Sequence, residues 1–427
     1  MILAFLCLVF LGTIIIGIPL VWAVLISTLL PMFYFGRTYP LEALYLNYIA
    51  GIEPNIYIAI PLFIVAGELI NRGGVGVRII RFVRTTLGWL PGGLGVCVVA
   101  AAMIFGGISG SAIADAAAVG AVMIPSMTQR GYPKPFAAAL VAAAGTIGII
   151  IPPSIPMLVF GFVGNVSVRE LFLSGFVPGV VFGVAMMVVA IYVGKTTGCD
   201  VGGERSSWKE IWTSFVGCAP ALFMPVIILA GIFSGAVTPT EAAGLAVIYG
   251  LFVSTVIYRD LSWRGIPSLL VDSFITSAVV MVVIGTTQVL TWLITLEQMP
   301  VILLEWVKHL STSPWVFLLL VNVALLILGH VLEPVPAILL TAPLFLPVAK
   351  AYGIDPVHLG LIVTCNLALG LFTPPIGATL FVASRIANVG VLAITRAMIP
   401  LFIVSLIALA LVTYITALPM GLVWLLR

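Results

Sequence analysis

The sequence predicts an all-α polytopic membrane protein made of two inverted-topology repeats, each with a re-entrant helical hairpin and a helix broken by paired prolines. Three observations predict it. The 427 residues are 62% apolar and only 8% charged, with a mean hydropathy of +1.28. Apolar runs of 18 or more residues recur along the chain, more apolar surface than a water-soluble fold could cover. Two of these runs are cut by Pro152-Pro153 and Pro374-Pro375, which lie 222 residues apart.

The first 30 residues have neither a basic leader start nor a clear small-residue cleavage site, so they read as retained membrane helix. Candidate spans follow at about 4–33, 43–70, 136–165, 172–194, 215–234, 241–258, 269–296, 357–384 and 391–418. Segment 4–33 reads as one span or as two short helices. Segments 92–127 and 314–349 are long but interrupted by glycine or proline at their centres, and read as hairpins 1 and 2. Shorter amphipathic stretches, 75–88 and 299–311, precede the two hairpins. Each reads either as an interfacial arm holding a moving part against a fixed one or as a plain connector. Residues 195–210 form the polar linker between repeats. The five cysteines, at 7, 97, 199, 218 and 365, have no metal or disulfide spacing.

Charge tests this layout. Thirteen basic residues fall on one side: Arg72, Arg78, Arg81, Arg84, Arg130, Lys134, Lys195, Arg205, Lys209, Arg259, Arg264, Arg385 and Arg396. Arg37, Arg169, Lys308, Lys350 and Arg427, five in all, fall on the other. The richer side is cytoplasmic by the positive-inside rule. Hairpin 1 then opens from the cytoplasm and hairpin 2 from the opposite side. Gly107, Pro125, Gly131, Gly148, Pro152 and Pro153 recur at a constant offset of 222 as Gly329, Pro347, Gly353, Gly370, Pro374 and Pro375. Asn165-Val-Ser-Val echoes Asn388-Val-Gly-Val with a one-residue slip. Five spans separate the hairpin ends, and an odd number forces the repeats into opposite orientations. Inverted repeats suit alternating access, because one structural unit can face either side.

Each proline pair removes helical N–H groups and frees carbonyls about four residues upstream. In hydrocarbon such carbonyls need protein, water or an ion, and matched broken helices point to a transporter's binding site. Hairpin 1 reads Phe105-Gly-Gly-Ile-Ser109-Gly-Ser111-Ala-Ile-Ala-Asp115-Ala-Ala-Ala-Val-Gly120. Its small residues suit either a ligand-binding turn, with Ser109 and Ser111 as hydroxyl donors, or a close helix contact. Hairpin 2 reads Gly329-His330-Val-Leu-Glu333-Pro334, where Glu333 falls opposite Ser111. An intramembrane carboxylate is expensive and marks a functional site.

These motifs, with Gly353-Ile-Asp355-Pro356-Val-His358, resemble the large membrane subunit of TRAP (tripartite ATP-independent periplasmic) transporters, the DctM/SiaM type. The resemblance covers essentially the whole chain. It implies an elevator-type, sodium-coupled secondary transporter of the bacterial inner membrane, importing a small organic acid such as a C4-dicarboxylate, a sialic or other sugar acid, or a keto acid. It also implies two partners, a small four-helix membrane subunit and a periplasmic substrate-binding protein. A single repeat pair in 427 residues leaves no room for the small subunit, which is expected as a separate chain. The implied division is scaffold and first arm at 1–90, first transport repeat at 91–194, linker, scaffold and second arm at 195–313, and second transport repeat at 314–427.

Carried onto this sequence, one sodium site would use Ser109, Ser111, Gly145, Gly148 and Ile149. Its inverted counterpart would use Gly329, Glu333, Gly370, Thr373 and Ile376. Hydroxyl and carbonyl oxygens suit a hard monovalent cation. The cargo would touch Ser109, Ser154 and Glu333, with Glu333 meeting hydroxyls, water or sodium rather than a bare anion. No cofactor beyond two or more coupling sodium ions is expected, nor any nucleic-acid partner.

Other readings are weaker. A sodium/dicarboxylate symporter working without a binding protein shares the hairpin logic, but carries Ser-Asn-Thr at its tips. Gly107-Ile-Ser109-Gly110 matches the short GxSG of rhomboid-type intramembrane proteases, with His330 as the one histidine deep in a membrane segment. Gly194-Lys195-Thr196 ends like a phosphate loop, but position 189 is Val, so an ATP-driven pump is set aside. A passive channel would show flux independent of any ion gradient.

Overall fold

The computed structural model describes residues 2–34, 40–53, 55–199 and 205–427. Arg37 and linker residues 200–204 therefore lie outside the described residues. The described residues form helices and connecting turns, without strands. Among the described residues, six helices are long and apolar enough to cross a membrane, and two further pairs qualify as bent spans.

The first region departs from a simple series of spans. Segment 4–33 is two helices, α1 (Ile2–Ile15) and α2 (Leu20–Tyr34), which pack against each other. A turn with Gly17 at φ +86° precedes Pro19 and ends the first helix. Segment 43–70 is likewise not one helix. It divides into α3 (Leu41–Ile52), a 3₁₀ turn at Asn55–Ile58, and α4 (Ala59–Arg72). Helix α5 (Val75–Leu87), the first amphipathic stretch, turns 66° away from α4. Gly74, at φ +69°, makes that turn.

Hairpin 1 consists of α6 (Gly93–Ser109) and α7 (Ala112–Gln129), and the first broken helix of α8 (Lys134–Gly145), a 3₁₀ turn and α9 (Ile155–Gly164). Helices α10 (Val168–Thr197), α11 (Trp208–Phe233), α12 (Pro239–Phe252) and α13 (Ile266–Leu296) follow, then the second amphipathic stretch, α14 (Met299–Leu310). Hairpin 2 pairs α15 (Pro314–Gly329) with α16 (Pro334–Ala351). The second broken helix is α17 (Pro356–Phe372) with α18 (Ala378–Ala387), and α19 (Val391–Tyr414) and α20 (Ala417–Leu426) close the chain.

The repeats match in detail. Both paired prolines have cis peptide bonds. Asn165 and Asn388 close α9 and α18 in the left-handed region, at φ 49° and 50°. Asparagine is among the few residues that tolerate this conformation, so the sequence echo marks two equivalent helix ends. The halves also interlock. Helix α9 packs against α16 and α17 of the second repeat, while α18 packs against α7 and α8 of the first. Phe160 of α9 lies against Gly360 of α17, where a methyl group would fall 2.6 Å from its ring. Each broken helix thus places its second half in the other repeat's hairpin.

Close glycine contacts hold hairpin to break. A Cβ on Gly106 would lie 2.3 Å from the Gly148 Cα, and one on Gly370 would lie 2.3 Å from the Gly329 carbonyl oxygen. Backbone cannot retreat as a side chain can. Gly370→Ala is expected to cost about 1–3 kcal/mol of stability through overpacking. Gly217→Ala, with nothing within 4 Å, should be neutral or slightly stabilising. Thermal unfolding of the two purified variants checks the contrast.

Candidate functional site

A cavity of about 330 Å³ lies where the two hairpin tips meet α4 and α13. Hairpin 1 contributes Ser109, Gly110 and Ser111; hairpin 2 contributes Glu333, Pro334 and Val335. The facing wall carries Glu68 and Asn71 of α4, with Asp272 and Ser273 of α13. These wall residues lie near Arg72, on the side assigned to the cytoplasm by charge, so the cavity extends toward that side.

The tip of hairpin 1 is built by its small residues. Gly110 takes φ 62°, and Ser111 stands at the start of α7 in extended geometry. The turn brings the Ser111 N–H to 3.1 Å from Ser109 Oγ, and Ser109 Oγ in turn donates to Asp115 Oδ1. Asp115 is fully buried, and its other oxygen, Oδ2, has no hydrogen-bond partner among the described residues. That oxygen points at the first break. A Cβ on Gly148 would fall 2.0 Å from it, so glycine is what admits the carboxylate there.

A buried carboxylate oxygen without a donor is costly and calls for a positive partner. Asp115 was visible in the hairpin motif but received no role from the sequence. The signal was present, because the argument that an intramembrane carboxylate marks a site applies to Asp115 as it does to Glu333. The wall residues Glu68, Asn71, Asp272 and Ser273 were also missed, since nothing in sequence joins α4 to α13 across 200 residues. The structure joins them through Arg72, whose Nε donates to Glu68 at 2.6 Å and Nη2 to Asp272 at 2.7 Å.

The expected site residues divide into those that meet the cavity and those that line the breaks. Ser109, Ser111, Ile149 and Glu333 border the cavity. Gly145 and Gly148 lie behind hairpin 1, with a Cβ on Gly145 3.0 Å from the Ala112 carbonyl. Gly329 and Gly370 are in backbone contact. Thr373 is buried, and its hydroxyl donates to the Leu369 and Gly370 carbonyls at 3.0 and 3.2 Å. Two expected positions stand apart. Ser154 is buried and does not border this cavity; its hydroxyl donates to the Ile149 carbonyl at 2.6 Å and accepts from the Met157 N–H at 3.4 Å. It satisfies a carbonyl freed by Pro152-Pro153 and caps α9. Ile376 is 52% exposed and does not border the cavity.

The carbonyls freed by the prolines are therefore partly met by protein. Ser154 serves Ile149, Thr373 serves Gly370, and Thr379 serves Leu371 at 2.9 Å. The Ile149 and Leu371 carbonyls each keep a second lone pair, so a cation remains compatible with those bonds, whereas the Gly370 carbonyl also accepts the Thr373 N–H at 3.2 Å. A serine–histidine pair is not formed: Ser109 donates to Asp115, and the His330 ring meets the Leu326 carbonyl of its own helix.

Comparison with known proteins agrees over nearly the whole length. The family model described as "Tripartite ATP-independent periplasmic transporter, DctM component" matches residues 6–418. The C4-dicarboxylate TRAP transporter large permease protein DctM of Pseudomonas aeruginosa is 41% identical over 370 residues, covering 87% of this chain and 86% of that protein. The 2,3-diketo-L-gulonate TRAP transporter large permease protein YiaN of Escherichia coli is 39% identical over 378 residues, covering 88% of each. Among solved structures, the Alcanivorax borkumensis YdaH transporter has a TM-score of 0.62 at 15% identity, covering 93% of this chain and 90% of that one. That last likeness speaks to fold alone.

Proposed function

Because this chain belongs to the DctM-component family of tripartite ATP-independent periplasmic transporters, we propose that it is the large subunit of a sodium-coupled importer of a small organic acid. It is a multi-pass inner-membrane protein. Its relatives are transporter permeases for a C4-dicarboxylate and a diketo sugar acid, which supports a small carboxylate as cargo. A periplasmic binding protein would deliver the cargo, and a separate small membrane subunit would complete the complex.

The observation that carries sodium coupling is the unpartnered oxygen of Asp115 beside the Gly148 backbone. Around and beside the cavity stand four carboxyl groups, of Glu68, Asp115, Asp272 and Glu333, against the one guanidinium of Arg72. An anion entering such a field is repelled unless cations arrive with it, and at low dielectric the repulsion is large. Sodium ions at the two breaks would neutralise the field and make the cavity receptive. Ser109, Ser111 and the Gly145–Ile149 turn would hold one beside Asp115. The Gly329, Gly370 and Thr373 cluster, with Glu333, would serve the other.

Two sodium ions moving inward through ~100 mV supply about 4.6 kcal/mol, and each negative charge on the cargo removes about 2.3. A dianion carried with two sodium ions gains nothing from voltage, so a dicarboxylate would need a third ion or depend on the sodium gradient alone. The interlocked hairpins and broken helices favour one rigid moving unit, sliding against α3, α4, α12 and α13 as in an elevator. Arms α5 and α14 would flank that unit.

Reconstitution tests the reading. Vesicles holding this chain and its small subunit, supplied with the binding protein and a labelled organic-acid panel, are expected to accumulate one acid only with inward sodium and the binding protein together. Sodium-driven uptake without the binding protein would instead favour an ordinary symporter. Flux indifferent to sodium would favour a channel.

A further inference from the structure

Helix α5 presents Arg78, Arg81 and Arg84 along one stripe, and the three are not equivalent. Arg78 is engaged by the Gly74 carbonyl at 2.8 Å, by Asp260 at 2.5 Å and by the Tyr258 ring at 4.0 Å. Arg81 and Arg84 are exposed and form no salt bridge with any described residue. Both line a cleft of about 430 Å³, which continues through Arg81, Thr85 and Ser206 into a second of about 330 Å³. Lys209, on the first turn of α11, lines the second part and is also without a salt bridge.

Among the described residues the cleft carries more positive than negative charge. Among the described residues the carboxylate lining the cleft is Glu210; it accepts the Ser207 N–H at 3.0 Å in a capping box and offsets at most one of the three cations. Nearby Arg205 lies 4.0 Å over the Trp89 ring. Thr85 and Thr213 donate to the Phe82 and Lys209 carbonyls, leaving Ser206 with a hydroxyl that has no partner among the described residues. The walls are firmly joined, by a 2.8 Å hydrogen bond between Thr85 and Ser214 and by contact of the Phe82 and Phe215 rings at 5.6 Å. The cleft therefore has firmly joined walls and three cations that form no salt bridge with any described residue.

We propose that this cleft binds the phosphate headgroup of an anionic membrane lipid. Its position is the cytoplasmic membrane surface, where α5 bends 66° away from α4. Val77, Ile80 and Val122 supply an apolar flank beside the cations. Trp208 and Trp212 are exposed on the adjoining turns of α11, as expected of side chains at a headgroup boundary. Basic pockets between helices on the cytoplasmic side suit phosphate headgroups, and the apolar flank would take the first part of the acyl region. Free phosphate could use the cations but not the flank.

The test uses the full chain with its small subunit in vesicles containing brominated phosphatidylglycerol or brominated phosphatidylcholine, read by tryptophan quenching. The wild type is expected to prefer the anionic lipid. The R81Q/R84Q/K209Q variant should lose that preference by about tenfold, whereas R264Q/R385Q/R396Q, which removes as much charge elsewhere on the same side, should keep it. Equal loss in both variants would mean diffuse surface charge and would overturn the proposal, as would no loss in either. Displacement of the lipid signal by excess inorganic phosphate, but not by excess sulfate or chloride, would reassign the cleft to a soluble phosphate. Size-exclusion profiles of all three proteins confirm that they are folded.

Discussion

Asp115→Asn is expected to reduce sodium-driven uptake by on the order of 10²-fold or more at fixed sodium. Asparagine keeps the side-chain size and the oxygen that accepts from Ser109, so the hairpin tip should persist. What it removes is the carboxyl oxygen beside the Gly148 backbone, and with it the capacity to face a cation there as a carboxylate. Removing one partner of a buried charge pair typically costs about 3–5 kcal/mol. At 1.4 kcal/mol per tenfold, that corresponds to roughly 10² to 4 × 10³ in cation affinity. Stability should move the other way or not at all, because an unpartnered buried carboxylate is itself a burden. Initial uptake rates measured against sodium concentration separate these effects. A variant with reduced rate but unchanged sodium dependence would make Asp115 a packing residue.

Arg72→Gln is expected to raise the apparent KM for an anionic cargo about three- to tenfold. Arg72 is the single cation bonded to the carboxylates of the cavity wall, holding Glu68 and Asp272 at 2.6 and 2.7 Å. Without it those two charges face the cargo unopposed. The three side chains are 31–58% exposed, so solvent and salt screen the effect and hold it to this modest size. Adding Asp272→Asn should recover part of the loss, since it removes one of the exposed charges. Uptake of a monoanion and a dianion at low and high ionic strength checks the sign; a KM rise that salt does not shrink would point to a structural defect.

The repeat architecture was legible because proline and glycine constrain backbone directly. Pro152-Pro153 and Pro374-Pro375 could not continue a helix, and the Asn165 and Asn388 echo, read only as a sign of the repeat, marks the equivalent ends of α9 and α18. The amphipathic stretches 75–88 and 299–311 are the helices α5 and α14, because amphipathic spacing survives without tertiary context. The amino-terminal spans were less legible. Uniform apolar composition hid the division of 43–70 and left that of 4–33 open between one span and two short helices, since hydropathy reports residence in the membrane and not where a helix pauses.

The candidate site was legible at the hairpin tips and opaque at its far wall. Ser109 and Glu333 meet across the cavity, as the matched hairpins implied. Ser154 was expected at the cargo because it follows the proline pair, yet the same proximity lets it bond the Ile149 carbonyl. A short polar residue beside a helix break commonly repairs the break. Asn322, Asn366 and Thr413 show the same limit in the second repeat. Asn366 donates to Asn322 at 2.6 Å, and Asn322 to Thr413 at 3.2 Å, a buried chain joining α15, α17 and α19. Its first-repeat counterparts at offset 222, Ala100 and Ala144 for the two asparagines, carry no polar group, so no repeat argument could have found it.

The most direct test is the paired flux of labelled sodium and labelled cargo in the same vesicles, with the binding protein outside and the membrane potential clamped. At least two sodium ions entering per organic acid, a ratio that collapses in Asp115→Asn, is the predicted result. Cargo entering with no accompanying sodium, at a rate that Asp115→Asn leaves unchanged, would contradict it.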